Sequence, residues 1–387
     1  INCWNFINFA VTLLQIVKKN CKGRKNMRKH YIDNIRWITV FLVVIYHIIY
    51  IYNGICTAGV IGPFSEFQAQ DAVQYILYPW FMVILFIVAG ISSRAFLENH
   101  SKKEFLKSRT RKLLVPSTLA LFVFQWIQGY FNMAISNAFA NFPKDFPKLA
   151  LYPIMAFSGT GVLWFIQMLW IFSVLLIVVR RLDKNDRFYN FCGKSNIAVV
   201  LLLGIASYGA SHILNTPIIV VYRFGIYGFA FFTGYFVFSH DCVIEKVSRF
   251  FIPFACIAVI LGAFYVYLYF GQSYVEPPVV NNPVAIAFMW FSCLAILGGA
   301  KRYLNKTNSL FHFMRTHSFA LYIFHYLPLS AAAYLLNKYT SVPALPSYLI
   351  VTVSAFFGSW ILNIIISNVP FLRWCVLGIK KEKKSAV

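Results

Sequence analysis

The chain has 387 residues, of which 59% are hydrophobic and only 12% are charged, and its formal net charge at pH 7 is +23. Soluble domains contain about 45–50% apolar and about 25% charged residues, so this composition excludes an ordinary soluble protein. It predicts a polytopic membrane protein. A basic excess is also typical of nucleic-acid-binding proteins. Here, however, most basic residues lie in every second loop between the apolar segments and do not form one basic segment. No nucleic-acid partner is therefore expected.

The start of the chain differs from the rest. Residues 1–17 are apolar but short for a membrane span, and a basic run follows them. A secretory signal peptide carries its positive charge before the apolar part, so this order argues against one. Met27 would be a natural initiator. We therefore expect residues 1–26 to be a non-native or interfacial extension and residues 27–387 to form one membrane domain; the alternative is an eleventh span.

Ten segments are apolar enough to cross a bilayer, which requires about 20 predominantly apolar residues. They predict an all-α, polytopic bundle of about ten transmembrane helices. In chain order the segments are 34–53, 72–93, 113–134, 161–181, 195–213, 218–239, 250–270, 283–300, 317–336 and 347–367.

The basic residues orient this bundle. All but four of the 35 Lys and Arg residues fall before or at the start of the first span, in loops after even-numbered spans, or in the tail. The exceptions are Lys144, Lys148, Arg223 and Lys338. Positively charged loops stay in the cytoplasm, so both ends of the membrane domain are predicted to be cytoplasmic.

No metal or permanently bound cofactor is predicted. The eight cysteines form no Cys-x-x-Cys pair and no tight cluster with histidine, so neither a disulfide framework nor a metal site is supported. The chain also lacks a Gly-x-Ser-x-Gly elbow, a Walker loop and a His-Glu-x-x-His helix.

The first span carries three polar residues on one stripe. At about 100° per residue, Arg36 and His47 point within about 20° of each other, with His47 about 16 Å further along the axis. Asp33 lies within about 40° of the same direction. Charged groups in hydrocarbon usually face a bundle interior or a water-filled cavity, so we expect Arg36 and His47 to face a shared central chamber. The alternative is a structural pair, with Arg36 at the headgroups and His47 bonded to a neighbouring helix.

Several short motifs occur in an order that resembles one family. They are Asp33 and Arg36 before His47, Gly90-Ile91-Ser92, Leu113-Leu114-Val115-Pro116, Leu163-Trp164-Phe165, and Leu321-Tyr322-Ile323-Phe324-His325. Together they resemble acyltransferase family 3, the ten-span bacterial membrane O-acyltransferases. The tail, Pro370-Phe371-Leu372-Arg373-Trp374, is similar to the glucan-modifying and related branch. One position departs from the pattern, because a histidine often precedes the Leu-Trp-Phe motif in relatives and Val162 stands there in this chain.

The resemblance implies acyl transfer in a bacterial inner membrane. The donor would be acyl-CoA at the cytoplasmic side, acting as a co-substrate, and the acceptor a hydroxyl of a cell-envelope glycan or related molecule; acetyl or succinyl is the expected acyl group. An imidazole serves such a reaction as general base or as the nucleophile that carries the acyl group. We assign this catalytic role to His47. Arg36 would hold a donor phosphate or orient the imidazole through Asp33, which in the simpler interpretation only neutralises Arg36.

Basic residues at the start of the third span are candidates for binding the phosphates of coenzyme A. Lys107, Arg109 and Arg111 lie there, and guanidinium forks match phosphate oxygens. The alternative is anchoring by anionic lipids of the bilayer. The resemblance also places His325 in the donor tunnel, whereas a buried, hydrogen-bonded histidine is the ordinary interpretation.

Three residues are candidates for contact with the acceptor. Arg223 lies near an outer span end, where it would bind an anionic or sugar group or extend towards the headgroups. Trp164 and Gln167 would line an acceptor groove, although tryptophan is common at membrane interfaces.

Two other functions compete with acyl transfer by this family. A transporter or flippase for a glycan or lipid-linked intermediate predicts paired inverted repeats, whereas the polar residues here concentrate in the first span. A membrane-bound O-acyltransferase of the other large class would use His325, and leaves the spacing of Arg36 and His47 unexplained.

Overall fold

The computed structural model describes residues 29–56, 59–143, 145–216 and 221–379. Within these ranges the chain is helical and has no strand, which confirms the all-α class. The predicted extension, residues 1–26, lies outside the described residues, as does the basic tail from Lys380 onwards.

Twenty α-helices make up the described part of the chain. In order, α1 to α20 are His30–Tyr50, Ala72–Leu77, Phe81–Leu97, Lys102–Arg109, Val115–Ala120, Trp126–Ile135, Lys148–Ser158, Trp164–Leu182, Arg187–Cys192, Ile197–Ser211, Phe224–Phe236, Asp241–Arg249, Phe251–Tyr269, Pro277–Val280, Pro283–Tyr303, Ser309–Phe324, Tyr326–Tyr339, Ala344–Val353, Ser359–Asn368 and Pro370–Leu377. Short π-helical turns join α4 to α5, α5 to α6, and α18 to α19.

The lengths and apolar composition of the helices are those of a multi-pass membrane protein. Among the described residues, seven helical stretches are long and apolar enough to cross a membrane, and counting each of two bent pairs as one span raises the number to nine. The pairs bend by 100° between α9 and α10 and by 48° between α16 and α17. The predicted sixth span, 218–239, contains the shorter apolar helix α11, of 13 residues.

Helices α3 and α11 approach each other closely because two glycines face the partner backbone. A Cβ atom on Gly90 would collide with the carbonyl oxygen of Phe231, and one on Gly234 would collide with that of Ile87. Small residues allow such close backbone contact between membrane helices. This contact fixes α3, whose C-terminal half carries two serines of the candidate site, Ser92 and Ser93.

The first turns of α1 are anchored by a buried asparagine. Asn34 is 3% exposed, and its Nδ2 donates hydrogen bonds to the carbonyl oxygens of Leu304 at 2.6 Å and Lys306 at 2.9 Å. Its Oδ1 accepts a hydrogen bond from Nε1 of Trp37 at 3.0 Å. Buried amides of this kind are normally fully paired, so these bonds fix the rotation of α1 and the direction of its polar stripe.

The ninth predicted span is broken at its histidine. Helix α16 ends at Phe324, His325 lies at the break, and α17 starts at Tyr326. Pro328 has no N–H, and its ring clashes with the carbonyl group four residues earlier, which is that of Phe324; this is a common cause of helix kinks. The 48° bend places His325 in the interior of the bundle, fully buried.

Candidate active site

The centre of the site is a pair of histidines from two distant parts of the chain. Nδ1 of His47 lies 3.2 Å from Nε2 of His325, and the two ring centroids are 5.0 Å apart. The ring of Tyr326 meets His47 edge-on at a centroid distance of 5.0 Å. His47 is surrounded by protein atoms, yet part of its side chain remains accessible to water. Its contacts with His325 and Tyr326 show that it faces the bundle interior.

Backbone carbonyl groups fix the protonation of both rings. Nδ1 of His325 lies 3.1 Å from the carbonyl oxygen of Leu321 and 3.0 Å from that of Tyr322. A carbonyl oxygen only accepts hydrogen bonds, so this Nδ1 must carry a proton. In the neutral ring Nε2 of His325 then has a lone pair and acts as an acceptor.

The same reasoning assigns the tautomer of His47. Its Nδ1 lies 2.8 Å from the carbonyl oxygen of Val43 and 3.2 Å from the accepting Nε2 of His325. Both neighbours accept, so Nδ1 of His47 carries the proton and the lone pair is on its Nε2. No described residue forms a hydrogen bond with this Nε2. The arrangement leaves one basic nitrogen available to a substrate.

Arg36 is bound by neighbouring side chains in the N-terminal half of α1. Its Nη1 lies 3.1 Å from Oδ1 of Asp33, and its Nη2 donates a hydrogen bond to Oγ of Ser92 at 2.9 Å. Oδ2 of Asp33 also lies 3.9 Å from Nη1 of Arg315, so this carboxylate lies between two guanidinium groups. Along the axis of α1, His47 lies about 16 Å from Arg36 and about 21 Å from Asp33. These separations are too long for Asp33 to orient the imidazole directly.

Arg109 is brought beside Arg36 by the next serine of α3. Its Nη2 donates a hydrogen bond to Oγ of Ser93 at 3.1 Å, and its charge interacts with that of Arg36. The hydroxyl groups of Ser92 and Ser93 donate back to carbonyl oxygens of α3, at 2.8 Å each, so their lone pairs face the guanidinium groups. No described carboxylate pairs with Arg109. The two neighbouring serines therefore hold two guanidinium groups near each other.

The other basic candidates do not join this pair. Lys107 is exposed on α4, and Arg111 lies in the π-helical turn that follows Arg109. The Nε atom of Arg111 is buried without a hydrogen-bond partner among the described residues. The predicted cluster is thus divided, with Arg109 directed towards α3 and Lys107 towards solvent.

Two acceptor candidates, Gln167 and Trp164, contact neighbouring helices. Nε2 of Gln167 donates to the carbonyl oxygen of Ser117 at 3.0 Å, and its Oε1 accepts from the hydroxyl of Tyr222 at 2.6 Å. The ring of Trp164 packs beside those of Tyr222 and Tyr227 at centroid distances of 6.3 and 5.4 Å. Their polar and aromatic groups are therefore already engaged by the protein.

Arg223 is buried and does not extend to the headgroups. It is 4% exposed, and its Nη2 donates a hydrogen bond to Oδ1 of Asn281 at 2.6 Å. Its guanidinium also lies 5.9 Å from the centroid of the Tyr227 ring. The interpretation that Arg223 extends towards the headgroups is wrong, because α11 and the segment before α15 enclose it.

Sequence reasoning missed how several residues combine. It considered His325 either as part of the donor tunnel or as a buried, hydrogen-bonded histidine; the structure shows it buried and hydrogen-bonded, and also places it against His47. It also gave no role to Ser93. One signal was present for each: Pro328 just after His325 indicates a broken helix, and two consecutive serines at the end of an apolar span indicate polar neighbours.

Comparison with known proteins agrees with the family resemblance that the sequence motifs indicate. The model of a family described as an acyltransferase domain, acyltransferase family 3, matches residues 29–364, nearly the whole chain. Searches of curated proteins and of solved structures gave no match. The matched range includes His47, Arg36, Arg109 and His325. The chain therefore belongs to acyltransferase family 3 and is a multi-pass membrane protein of this acyltransferase family.

Proposed function

We propose that the protein transfers an acyl group from acyl-CoA to a hydroxyl of a cell-envelope glycan or related acceptor, with His47 as the general base. Family membership supports membrane acyl transfer. The observation that carries the residue assignment is the Nε2 of His47, which holds the lone pair of a tautomer fixed by Val43 and His325. A general base must present such a lone pair to the proton that it removes.

The reaction then proceeds by direct transfer. Nε2 of His47 takes the proton of the acceptor hydroxyl as the oxygen attacks the thioester carbonyl carbon. The tetrahedral intermediate collapses, the carbon–sulfur bond breaks, and the coenzyme A thiolate takes the proton back from the imidazolium. Proton transfer of this kind contributes about 10²- to 10⁴-fold to a rate.

The donor would enter from the side of the two guanidinium groups. Arg36 and Arg109 supply positive charge at neighbouring serines of α3, and coenzyme A carries phosphates. His47 lies about 16 Å from Arg36 along α1. The extended pantetheine arm would lead from the phosphates to the thioester at His47, so that chemistry occurs deep in the bundle.

The proposed acceptor and the proposed membrane location are taken from the resemblance to the family. The tail Pro370–Trp374 and the order of motifs support the glucan-modifying branch, an acetyl or succinyl group, and the bacterial inner membrane. The basic residues before α1 and in α4 support a cytoplasmic donor side.

The test is transfer by the purified full chain in detergent, with acyl-CoA and a glucan oligosaccharide. We expect His47→Ala to lower transfer by about 10²-fold or more, because the substitution removes the nitrogen that takes the proton from the acceptor. His312→Ala is the matched control, since His312 lies exposed on α16. Both variants should insert and accumulate normally.

Two outcomes would contradict the proposal. Retained transfer by His47→Ala would remove His47 from the mechanism. Binding of a glycan by the wild-type chain without consumption of any acyl-CoA would favour a transporter that performs no chemistry.

A further inference from the structure

A small pocket opens at the end of the bundle opposite the guanidinium groups. Its volume is about 200 Å³. It is lined by the segment that follows α1, by the last turn of α17 and the residues after it, and by Ser347 of α18. These are the two helices that hold the histidine pair: α1 carries His47, and α17 begins directly after His325. The pocket therefore lies beyond the end of α1 that is nearer to His47.

The side chains that line the pocket include aromatic and polar groups but no charged group. Two rings, Tyr52 and Phe64, face the pocket with a centroid separation of 4.7 Å. The polar side chains are those of Asn337, Thr340, Ser341 and Ser347, and none of the lining residues is charged. Aromatic faces pack against the C–H faces of a sugar ring, while amides and hydroxyls pair with its hydroxyl groups.

The walls of the pocket are held in place before any ligand binds. Nε2 of Gln68 donates to the carbonyl oxygen of Tyr52 at 2.8 Å, and its Oε1 accepts from the backbone N–H of Phe64 at 3.0 Å. The backbone N–H of Ile61 donates to the carbonyl oxygen of Ile51 at 2.9 Å. A preformed site binds with a smaller entropy cost than one that must first fold.

We propose that this pocket is a subsite for one uncharged sugar ring of the acceptor glycan. Its volume is below the about 300–1,000 Å³ of pockets for drug-sized ligands, which suits one ring of a longer chain. The distance from His325 to Leu336 along α17 is about 16 Å, so a ring held here would leave a sugar several rings further along the same chain to reach His47. The absence of charge in the lining favours a neutral glycan over a phospholipid headgroup, whose phosphate would require a cation.

This inference rests on the proposed function but has a test of its own. Ser341→Trp should fill the pocket, and Phe64→Ala should remove one of its rings without filling it. In both variants we expect the KM for a linear glucose oligosaccharide to rise about ten-fold or more while the KM for acyl-CoA stays unchanged. Tyr339→Trp is the matched control, because Tyr339 is 68% exposed and does not line the pocket.

Binding is measured separately from turnover. The glucose oligosaccharide should raise the thermal stability of the wild-type chain and of Tyr339→Trp, but not that of Ser341→Trp. An unchanged acceptor KM in both pocket variants, or equal stabilisation of all three proteins, overturns the subsite. Stabilisation by phosphatidylglycerol in place of the oligosaccharide overturns it in favour of a lipid. If the oligosaccharide binds in the pocket but no acyl group is transferred, the proposed function fails and the subsite stands.

Discussion

At the scale of single residues, the important feature is a chain of hydrogen bonds that ends at His47. No described residue forms a hydrogen bond with Nε2 of this histidine. Carbonyl groups of α16 hold a proton on Nδ1 of His325, and Nε2 of His325 together with Val43 holds a proton on Nδ1 of His47. His325 acts through His47, so it is a positioning residue. Without it, His47 could adopt other ring orientations, and its lone pair would face a bound acceptor for less of the time.

The prediction for His325 separates positioning from binding. His325→Leu removes one of the two acceptors of Nδ1 of His47, and we expect kcat to fall by up to about ten-fold, since one hydrogen bond is worth about 0.5–1.5 kcal/mol. His325→Gln retains a carbonyl oxygen that can accept from Nδ1 of His47, so it should recover part of the rate. The KM for acyl-CoA should stay constant in both variants. Equal loss in the two variants, or a large rise in that KM, would contradict the positioning role.

At the scale of elements, the direction of α4 decides which basic residue reaches the site. Arg109 ends this helix and faces Ser93 of α3, whereas Lys107, two residues earlier, points to solvent. Residues two apart on a helix do not share a face. The π-helical turn that starts at Thr110 then changes the direction of the residues that follow, including Arg111.

This geometry predicts unequal effects of two similar substitutions. Arg109→Glu should raise the KM for acyl-CoA about ten-fold or more, because it replaces a cation beside Arg36 with an anion at the proposed phosphate site. Lys107→Glu is the control and should change that KM little, since exposed charges are screened by solvent and salt. Kinetics at varied acyl-CoA concentration measures both. If the two variants behave alike, Arg109 has no special contact with the donor.

At the scale of the whole molecule, charged and uncharged regions lie at opposite ends of α1, which in the proposed function would receive the donor and the acceptor. Positive charge lies before α1 and on α4, while the pocket beside Tyr52 is uncharged and lies at the opposite end of α1. The histidine pair is buried between these ends. A charged donor and a neutral acceptor would therefore meet from opposite sides of the membrane.

The predicted orientation can be tested directly with cysteines in two exposed positions. Glu66 lies in the predicted outer segment, and Lys103 lies at the start of α4. Glu66→Cys should react with a membrane-impermeant maleimide in intact cells, whereas Lys103→Cys should react only after lysis. The parent chain supplies the background labelling. The reverse pattern would invert the orientation and place the guanidinium pair on the outside.

The sequence by itself determined the class of the protein, its helical content and the stripe on α1. These follow from composition and from a period of about 3.6 residues, which are local properties. The segment at 283–300 therefore lies within α15, and α1 covers residues 34–50 of the segment at 34–53. The segment at 218–239 was harder to define because α11 has only 13 residues.

Only the tertiary structure decided which polar groups meet. His47 and His325 are 278 positions apart, and no local pattern encodes that contact or the tautomers that it fixes. Arg223 illustrates the same limit. Its position near a span end suggested exposure, but neighbouring helices bury it, because burial depends on what packs around a residue and not on its place along its own helix.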